Sequence, residues 1–163
     1  MPQRCTTRAF TSVLALIASF GTASAAETDI TIGMQLEPPH LDPTSAAAGA
    51  IDNVVYSNIF EGLTRFMGDG SVVPGLAKSW DISDDGLRYT FHLRGDVQFH
   101  DGTAMDAADV KFSLDRARAE DSTNAQKALF AGIADVAVID PLTVALTLEA
   151  PNGNLLFNLA WGD

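Results

Sequence analysis

The segment from Tyr89 to Ala117, YTFHLRGDVQFHDGTAMDAADVKFSLDRA, constrains the fold of this chain more than any other segment. Tyr89, Phe91 and Leu93 alternate with polar residues, which is the two-residue period of a strand with one buried face. Asp84-Asp85-Gly86 immediately before it is a hairpin turn sequence. The pattern therefore predicts antiparallel strands, and the same apolar face is expected to continue through Val97 and Phe99.

The second half of this segment predicts a capped helix. His100-Asp101-Gly102 is a turn sequence. Asp106 is placed to cap the amino terminus of a helix over Ala107–Ala119, and Asp109 in its first turn favours the helix dipole. The helical spacing predicts a buried stripe made of Val110, Leu114 and Ala117.

Periodicity and turn residues predict the remaining elements. Strands are expected at Asp29–Leu36, Leu63–Met67, Ser79–Ser83, Ile133–Ile139 and Thr143–Glu149. Helices are expected at Ala47–Glu61, ended by Gly62, and at Pro151–Trp161. Gly68-Asp69-Gly70 predicts a turn. Three prolines between Pro38 and Pro43 exclude both helix and a regular strand ladder and predict a stiff, extended loop.

The amino terminus has the features of a cleaved secretory signal. Arg4 and Arg8 precede a short apolar core, and Ala23-Ser24-Ala25 matches an A-x-A cleavage site, with cleavage expected after Ala25 or alternatively Ala26. The apolar core is shorter than the roughly 20 residues needed to span a bilayer. Residues 1–25 are thus predicted to be a signal peptide and 26–163 the exported protein, without direct membrane insertion after cleavage.

Charge and cysteine content narrow the location and the partners. Loss of Arg4 and Arg8 with the signal changes the formal charge from −11 to −13, and such a surface repels nucleic acid. The only cysteine, Cys5, lies within the signal, so the exported part has no disulfide and no site for a lipid anchor. These features predict a periplasmic protein that is not a lipoprotein.

Several short motifs occur in a characteristic order along the chain. They are Leu41-Asp42-Pro43, Phe60-Glu61-Gly62-Leu63, Val73–Trp80, Ser83–Gly86, Tyr89–Arg94, Val97–Gly102 and Ala108–Ser113. Together, behind a secretory signal, they closely resemble the extracytoplasmic solute-binding proteins of family 5. Members of that family include dipeptide, oligopeptide, glutathione and nickel binders of ABC importers.

The resemblance implies an α/β fold with α+β character. This chain would be part of lobe one of a periplasmic-binding-protein type II-like fold, with an antiparallel-sheet subdomain over most of Asn53–Leu148. Family members are longer, so residues 26–163 would be the amino-terminal portion and the second lobe would be absent. The implied function is a monomeric periplasmic component that binds peptides or similar small solutes and docks on an ABC permease in the inner membrane.

The resemblance places the expected ligand contacts at Glu37, Pro38, Pro39 and His40. In peptide-binding members the corresponding loop runs alongside the ligand, and an extended strand with free backbone groups suits a peptide. The two prolines remove two donors, and Glu37 is suited to a cationic group. The alternative is that Glu37 and His40 are solvated loop residues.

Neither catalysis nor a cofactor is predicted. Asp81, Asp84 and Asp85 lack the spacing of a calcium loop, and no Cys or H-x-x-x-H pair supports His92 or His100 as metal ligands. Ser113 beside Asp109 has no histidine at a helical spacing, so it is no catalytic pair. Two other functions stay open: a truncated, non-binding accessory module, and a small secreted hydrolase.

Overall fold

The computed structural model describes residues 29–45, 48–56 and 58–161. The predicted signal peptide and its cleavage position at Ala25 or Ala26 lie outside these residues. The chain divides into two compact units, Met1–Met34 and Gln35–Asp163. Each unit is considered by itself below.

The predicted strand over Asp29–Leu36 is wrong. The backbone there is irregular, and the apolar residues of the alternating pattern are exposed, with Ile30 at 83% and Ile32 at 74%. Alternation specifies a strand only when a neighbouring strand completes the hydrogen-bond ladder, and none pairs with this segment among the described residues.

The centre of the second unit is a four-stranded antiparallel sheet. Its strands are β3 (Ala77–Ile82), β4 (Arg88–Leu93), β5 (Ile133–Asp140) and β6 (Thr143–Leu148), in the order β3-β4-β6-β5. The predicted alternation in β4 is confirmed, because Tyr89, Phe91 and Leu93 are all buried in the core. Phe99 departs from that pattern: it lies in the turn closed by Gly102 and is 46% exposed.

The hairpin turn between β3 and β4 forms as predicted. The Asp85 carboxylate accepts hydrogen bonds from the Ser83 hydroxyl at 2.6 Å and the Leu87 amide at 3.0 Å, and Gly86 takes a positive φ of 67°. Because both bonds lie within the turn, the role of Asp85 there is structural. Across the hairpin, His92 Nε2 lies 2.9 Å from Asp81 Oδ2 on the solvent face of the sheet.

Helix α2 (Ala107–Arg118) covers one face of this sheet. Its predicted cap is confirmed as a capping box: Asp106 accepts from the Ala108 amide at 2.7 Å, and Asp109 accepts from the Asp106 amide at 2.9 Å. The predicted stripe of Val110, Leu114 and Ala117 is buried.

Cationic side chains of α2 fasten it to the edge strand β5. Arg118 donates to the Ile133 carbonyl at 2.8 Å, and Lys111 donates to the Val136 carbonyl at 2.7 Å. Asp115 lies between the two cations, 2.8 Å from each. These bonds satisfy carbonyl groups on a strand that has a neighbour on one side only.

The predicted helix over Ala47–Glu61 is shorter than expected. Helix α1 spans Gly49–Val55, and Tyr56 is extended, with ψ at 127°. Two physical causes end it. A β-branched and aromatic run has low helix propensity, and the Asn58 side-chain amide donates a hydrogen bond to the Val54 carbonyl at 3.0 Å. Gly62 is therefore not the stop residue of this helix. Ala47 and Ser57 lie outside the described residues.

A smaller hairpin of two strands packs against the carboxyl-terminal segment of this unit. It pairs β1 (Thr64–Phe66) with β2 (Val72–Pro74) around the predicted turn at Gly68-Asp69-Gly70. The predicted carboxyl-terminal helix is reduced to one turn, α4 (Leu155–Asn158), after the unpredicted short helix α3 (Lys127–Phe130). The segment after α4 is hydrogen-bonded to β1, because the Thr64 amide donates to the Leu159 carbonyl at 3.3 Å.

Candidate functional site

The loop predicted to contact a ligand lies on the surface of the second unit. Glu37, Pro39 and His40 are exposed, and Pro38 is half-buried. The backbone there is irregular, as the prolines require. Its polar side chains are accessible to a solute, but none of the four residues lines the main groove described below.

The turn that follows the loop fixes its course. The Asp42 carboxylate accepts hydrogen bonds from the Thr44 hydroxyl at 2.7 Å and the Thr44 amide at 2.9 Å. These two bonds hold the pKa of Asp42 below its ordinary value. The His40 ring lies over this turn, with Nδ1 3.3 Å from the Asp42 amide and Nε2 3.4 Å from the Ser45 hydroxyl. The loop is therefore ordered by its own neighbours.

One backbone hydrogen bond joins the loop to a distant part of the chain. The Ala125 amide donates to the Thr44 carbonyl at 3.3 Å. Ala125 belongs to the polar segment 119–126, which connects α2 to α3 and is ordered by its own turn bonds, including Asn124 amide to Ser122 hydroxyl at 3.2 Å. Thr44 thus brings the predicted loop to the edge of a groove that this segment also borders.

The groove has a volume of about 860 Å³. Cavities of roughly 300–1,000 Å³ are typical of small-molecule sites. Its walls are α2, the segment 58–63, the hairpin 97–105 and the segment 119–124. Its floor is apolar and belongs to the core, with buried side chains that include Leu63, Val110, Leu114, Phe130 and Leu159.

Polar and charged groups stand on the rim of this groove. Glu61, Asp109, Asp121 and Arg116 are the charged residues among the described residues that line it, and His100 lines it as well. Asp109 is held in place by its bond to the Asp106 amide, and Glu61 lies 3.6 Å from Arg65. An apolar floor under a polar rim is the usual composition of a small-molecule site.

Four aromatic rings form a cluster that includes the groove-lining residue Trp161. Phe66 is at the centre, with ring centroids 5.1 Å from Trp161, 5.3 Å from Phe157 and 5.5 Å from Tyr56. Such offset and tilted pairs are favourable beyond the area they bury. Trp161 lines the groove, so this cluster gives it a fixed, half-buried ring surface.

Sequence reasoning did not identify the groove. Its walls come from four separated segments, and no local pattern shows that they converge. One signal was present: the run Asp121-Ser122-Thr123-Asn124 is polar, follows a capped helix and has the composition of a functional loop. His100 and Ser113, which were considered only for metal binding and catalysis, both line the groove.

The described residues contain neither a metal-binding cluster nor a membrane-spanning helix. No group of three or more His, Cys, Asp or Glu side chains in residues 29–45, 48–56 and 58–161 is arranged to hold a metal ion. No helix in the same ranges is long and apolar enough to cross a membrane.

Comparison with known proteins gives consistent matches. Residues 71–161 match the sequence profile of bacterial extracellular solute-binding proteins, family 5 Middle. The glutathione-binding protein GsiB of Pectobacterium atrosepticum is 41% identical over 120 residues, which cover 74% of this chain and 23% of that protein. The chain thus spans about a quarter of the length of such relatives.

Solved structures of similar proteins share the fold. NikZ from Campylobacter jejuni, in complex with Ni(L-His), matches with a TM-score of 0.70 and 36% identity, over 78% of this chain and 25% of that one. The binding protein AgaA of A. tumefaciens R10, in complex with agropinic acid, matches with a TM-score of 0.71 and 35% identity, over 76% and 25%. The mixed helix and antiparallel-sheet fold predicted from the sequence therefore corresponds to part of a periplasmic binding protein.

Proposed function

The chain belongs to family 5 of the bacterial extracellular solute-binding proteins, and from this membership we propose that it forms part of the periplasmic substrate-binding component of an ABC importer. Members of the family are binding proteins. The proposed ligands are peptides or similar small solutes. The observation that carries the proposal is the family match over residues 71–161, which includes the walls contributed by the hairpin 97–105, α2 and the segment 119–124.

The proposed mechanism is capture and delivery without chemistry. A solute enters the groove, and its contacts favour closure of two lobes around it. The closed form then docks on the membrane permease, while other subunits hydrolyse ATP. The apolar floor and polar rim of the groove suit this role, because most of the binding free energy comes from burying solute surface and the polar groups set orientation.

The proposed ligand contacts combine the predicted loop with the groove. Glu37, Pro38, Pro39 and His40 form the outer edge, and the groove beyond Thr44 forms the inner part. Proline in the loop reduces the conformational entropy that binding would remove. The hydrogen bonds of His40 to the turn at Asp42 and Ser45 also reduce this entropy cost, because the ring is already oriented.

The proposal extends to the division of the chain into a signal peptide and an exported part. Residues 1–25 are a signal peptide cleaved after Ala25 or Ala26, and residues 26–163 are the amino-terminal portion of a binding protein of the relatives' length. Mass spectrometry of the protein recovered from a periplasmic extract tests the first part. A mature amino terminus at Ala26 or Glu27 is expected, and retention of residues 1–25 would contradict it.

Titration calorimetry tests the function directly. Protein expressed from its native reading frame is titrated with dipeptides, oligopeptides, glutathione, nickel complexes and opines. Saturable one-to-one binding of at least one solute class is expected. Replacing Glu37 by Gln and His40 by Ala together is expected to weaken it roughly fivefold or more, since one polar contact contributes about 1 kcal/mol. The exposed Glu149→Gln variant, which lies outside the groove, is the matched control.

The other outcomes separate the alternatives. If a folded monomer bound no solute of the panel, the binding proposal would be overturned and an accessory module would be favoured. Turnover of ester or peptide substrates that is sensitive to serine or metal inhibitors would instead favour a secreted hydrolase.

A further inference from the structure

We propose that the groove selects cationic peptides, meaning peptides that carry lysine or arginine side chains. This inference rests on the proposed function and goes beyond it, because the family match does not set the charge of the ligand. It is carried by the charged groups that the fold places on the groove.

The lining of the groove is predominantly negative. Glu61, Asp109 and Asp121 contribute three carboxylates from three different segments, and Arg116 contributes the single guanidinium among the described lining residues. Glu61 and Asp121 are exposed, and Asp109 is half-buried. The acidic residues that line the groove therefore come from more than one of its walls.

The one opposing charge already has a negative neighbour. The positive charge of Arg116 contributes to the lowered pKa of Asp42, after the two larger contributions from Thr44. Arg116 therefore interacts electrostatically with the Asp42 carboxylate as well as lining the groove. Glu61 is likewise near Arg65, but at 3.6 Å and with both side chains about half exposed this pair is loose and can exchange partners.

The loop adds charge of the same sign. Glu37 is exposed beside Pro38 and Pro39, and the turn at Asp42 connects this loop to the groove. The whole chain has a formal charge of −11, so the long-range field attracts cations as well. Apolar floor and acidic rim together match a lysine or arginine side chain, whose methylene stem packs on apolar surface while its head reaches the carboxylates.

The expected selectivity is modest, because the rim is accessible to water. An exposed ion pair changes an equilibrium by roughly two- to fivefold at low salt. With three carboxylates available, we expect a lysine side chain to bind roughly five- to tenfold more tightly than norleucine, its uncharged analogue of similar shape. Most of this advantage is expected to vanish at about 0.5 M salt, where the screening length falls below 5 Å.

The test compares three tripeptides by calorimetry: Ala-Lys-Ala, Ala-norleucine-Ala and Ala-Glu-Ala. Protein from the native reading frame is used at low and high salt. The Lys peptide should bind most tightly and the Glu peptide most weakly. Asp121→Asn should weaken the Lys peptide roughly two- to fivefold and leave the norleucine peptide unchanged. Asp84→Asn, at an exposed hairpin turn outside the groove, is the matched control and should change neither.

Two results would overturn the inference in different ways. Equal affinity for the Lys and norleucine peptides, or tighter binding of the Glu peptide, would refute cation selectivity and leave the binding function intact. Failure of all three tripeptides and of every solute in the wider panel would refute the proposed function, and the selectivity with it.

Discussion

Among the described glycines, Gly62 has the least room for a side chain, and its replacement tests the packing of the groove floor. A methyl group on Gly62 would overlap the Leu159 carbonyl oxygen and lie 2.8 Å from the Ala160 carbonyl carbon. Backbone atoms cannot yield locally as a flexible side chain does. In Gly62→Ala the segment Leu159–Ala160 must therefore move away from β1.

The free-energy cost of this substitution has two parts. Overpacking a close contact costs roughly 1–3 kcal/mol. Moving Leu159 also breaks the hydrogen bond from the Thr64 amide, which is worth about 1 kcal/mol. We therefore expect Gly62→Ala to lower the free energy of unfolding by about 2–4 kcal/mol. For a chain of this size that corresponds to a fall in Tm of roughly 4–16 °C.

Gly68→Ala is the matched control, with the opposite expected sign. Nothing lies within 4 Å of a methyl group at Gly68, and its φ is outside the left-handed region. The alanine should therefore be neutral or stabilise by up to about 1 kcal/mol, through reduced freedom of the unfolded chain. Urea unfolding followed by circular dichroism measures both variants. If Gly62→Ala unfolded within about 0.5 kcal/mol of the parent, which is the usual scatter of surface substitutions, the described contact of β1 with the end segment would be refuted.

Three further predictions concern caps and charges. Asp106→Ala removes the acceptor of the α2 capping box and should cost about 1 kcal/mol in urea unfolding, whereas the exposed Asp84→Ala should cost less than about half of that; equal effects would contradict the capping role. Arg118→Ala removes the guanidinium that donates to the Ile133 carbonyl at 2.8 Å, and it should lower the free energy of unfolding by roughly 1–3 kcal/mol. The exposed Arg88→Ala variant is the control, and a loss no larger than that of the control would refute the described link between α2 and β5. Acidification should destabilise the fold below about pH 3.9. Hydrogen bonds from groups two residues away lower the pKa of several turn aspartates, which are Asp42, Asp69, Asp85, Asp101 and Asp140. The folded state therefore binds fewer protons than the unfolded state and loses this stability as pH falls through the lowered pKa values, so a Tm independent of pH between 5 and 2.5 would contradict the prediction.

The elements predicted correctly from the sequence are those determined by local chemistry. The alternation of Tyr89, Phe91 and Leu93 located β4 because burial on one face requires it. Asp106 and Asp109 located the start of α2 because a helix leaves amides that need acceptors. These signals are contained within a few residues of the element they specify, so a single chain is sufficient to find them.

The errors arise where distant residues decide the outcome. The Ile30 and Ile32 alternation satisfies the strand pattern, but pairing depends on a neighbour that the pattern does not supply. Gly62 was interpreted as a helix stop, whereas its role is close approach to Leu159 and Ala160, nearly 100 residues further along. The groove also depends on residues far apart in the sequence, since Thr44 and Ala125 are joined by a hydrogen bond that no local pattern indicates.

The most direct test of the account is the fluorescence of Trp161 during ligand titration. The chain has two tryptophans, and Trp161 lines the groove while Trp80 packs against the sheet core. In Trp80→Phe protein from the native reading frame, a solute that binds by calorimetry should change the Trp161 emission saturably, with the same Kd. In Trp161→Phe protein the remaining tryptophan should show at most a small change. Calorimetric binding without any change at Trp161 would contradict the account, because the solute would then be held away from the groove.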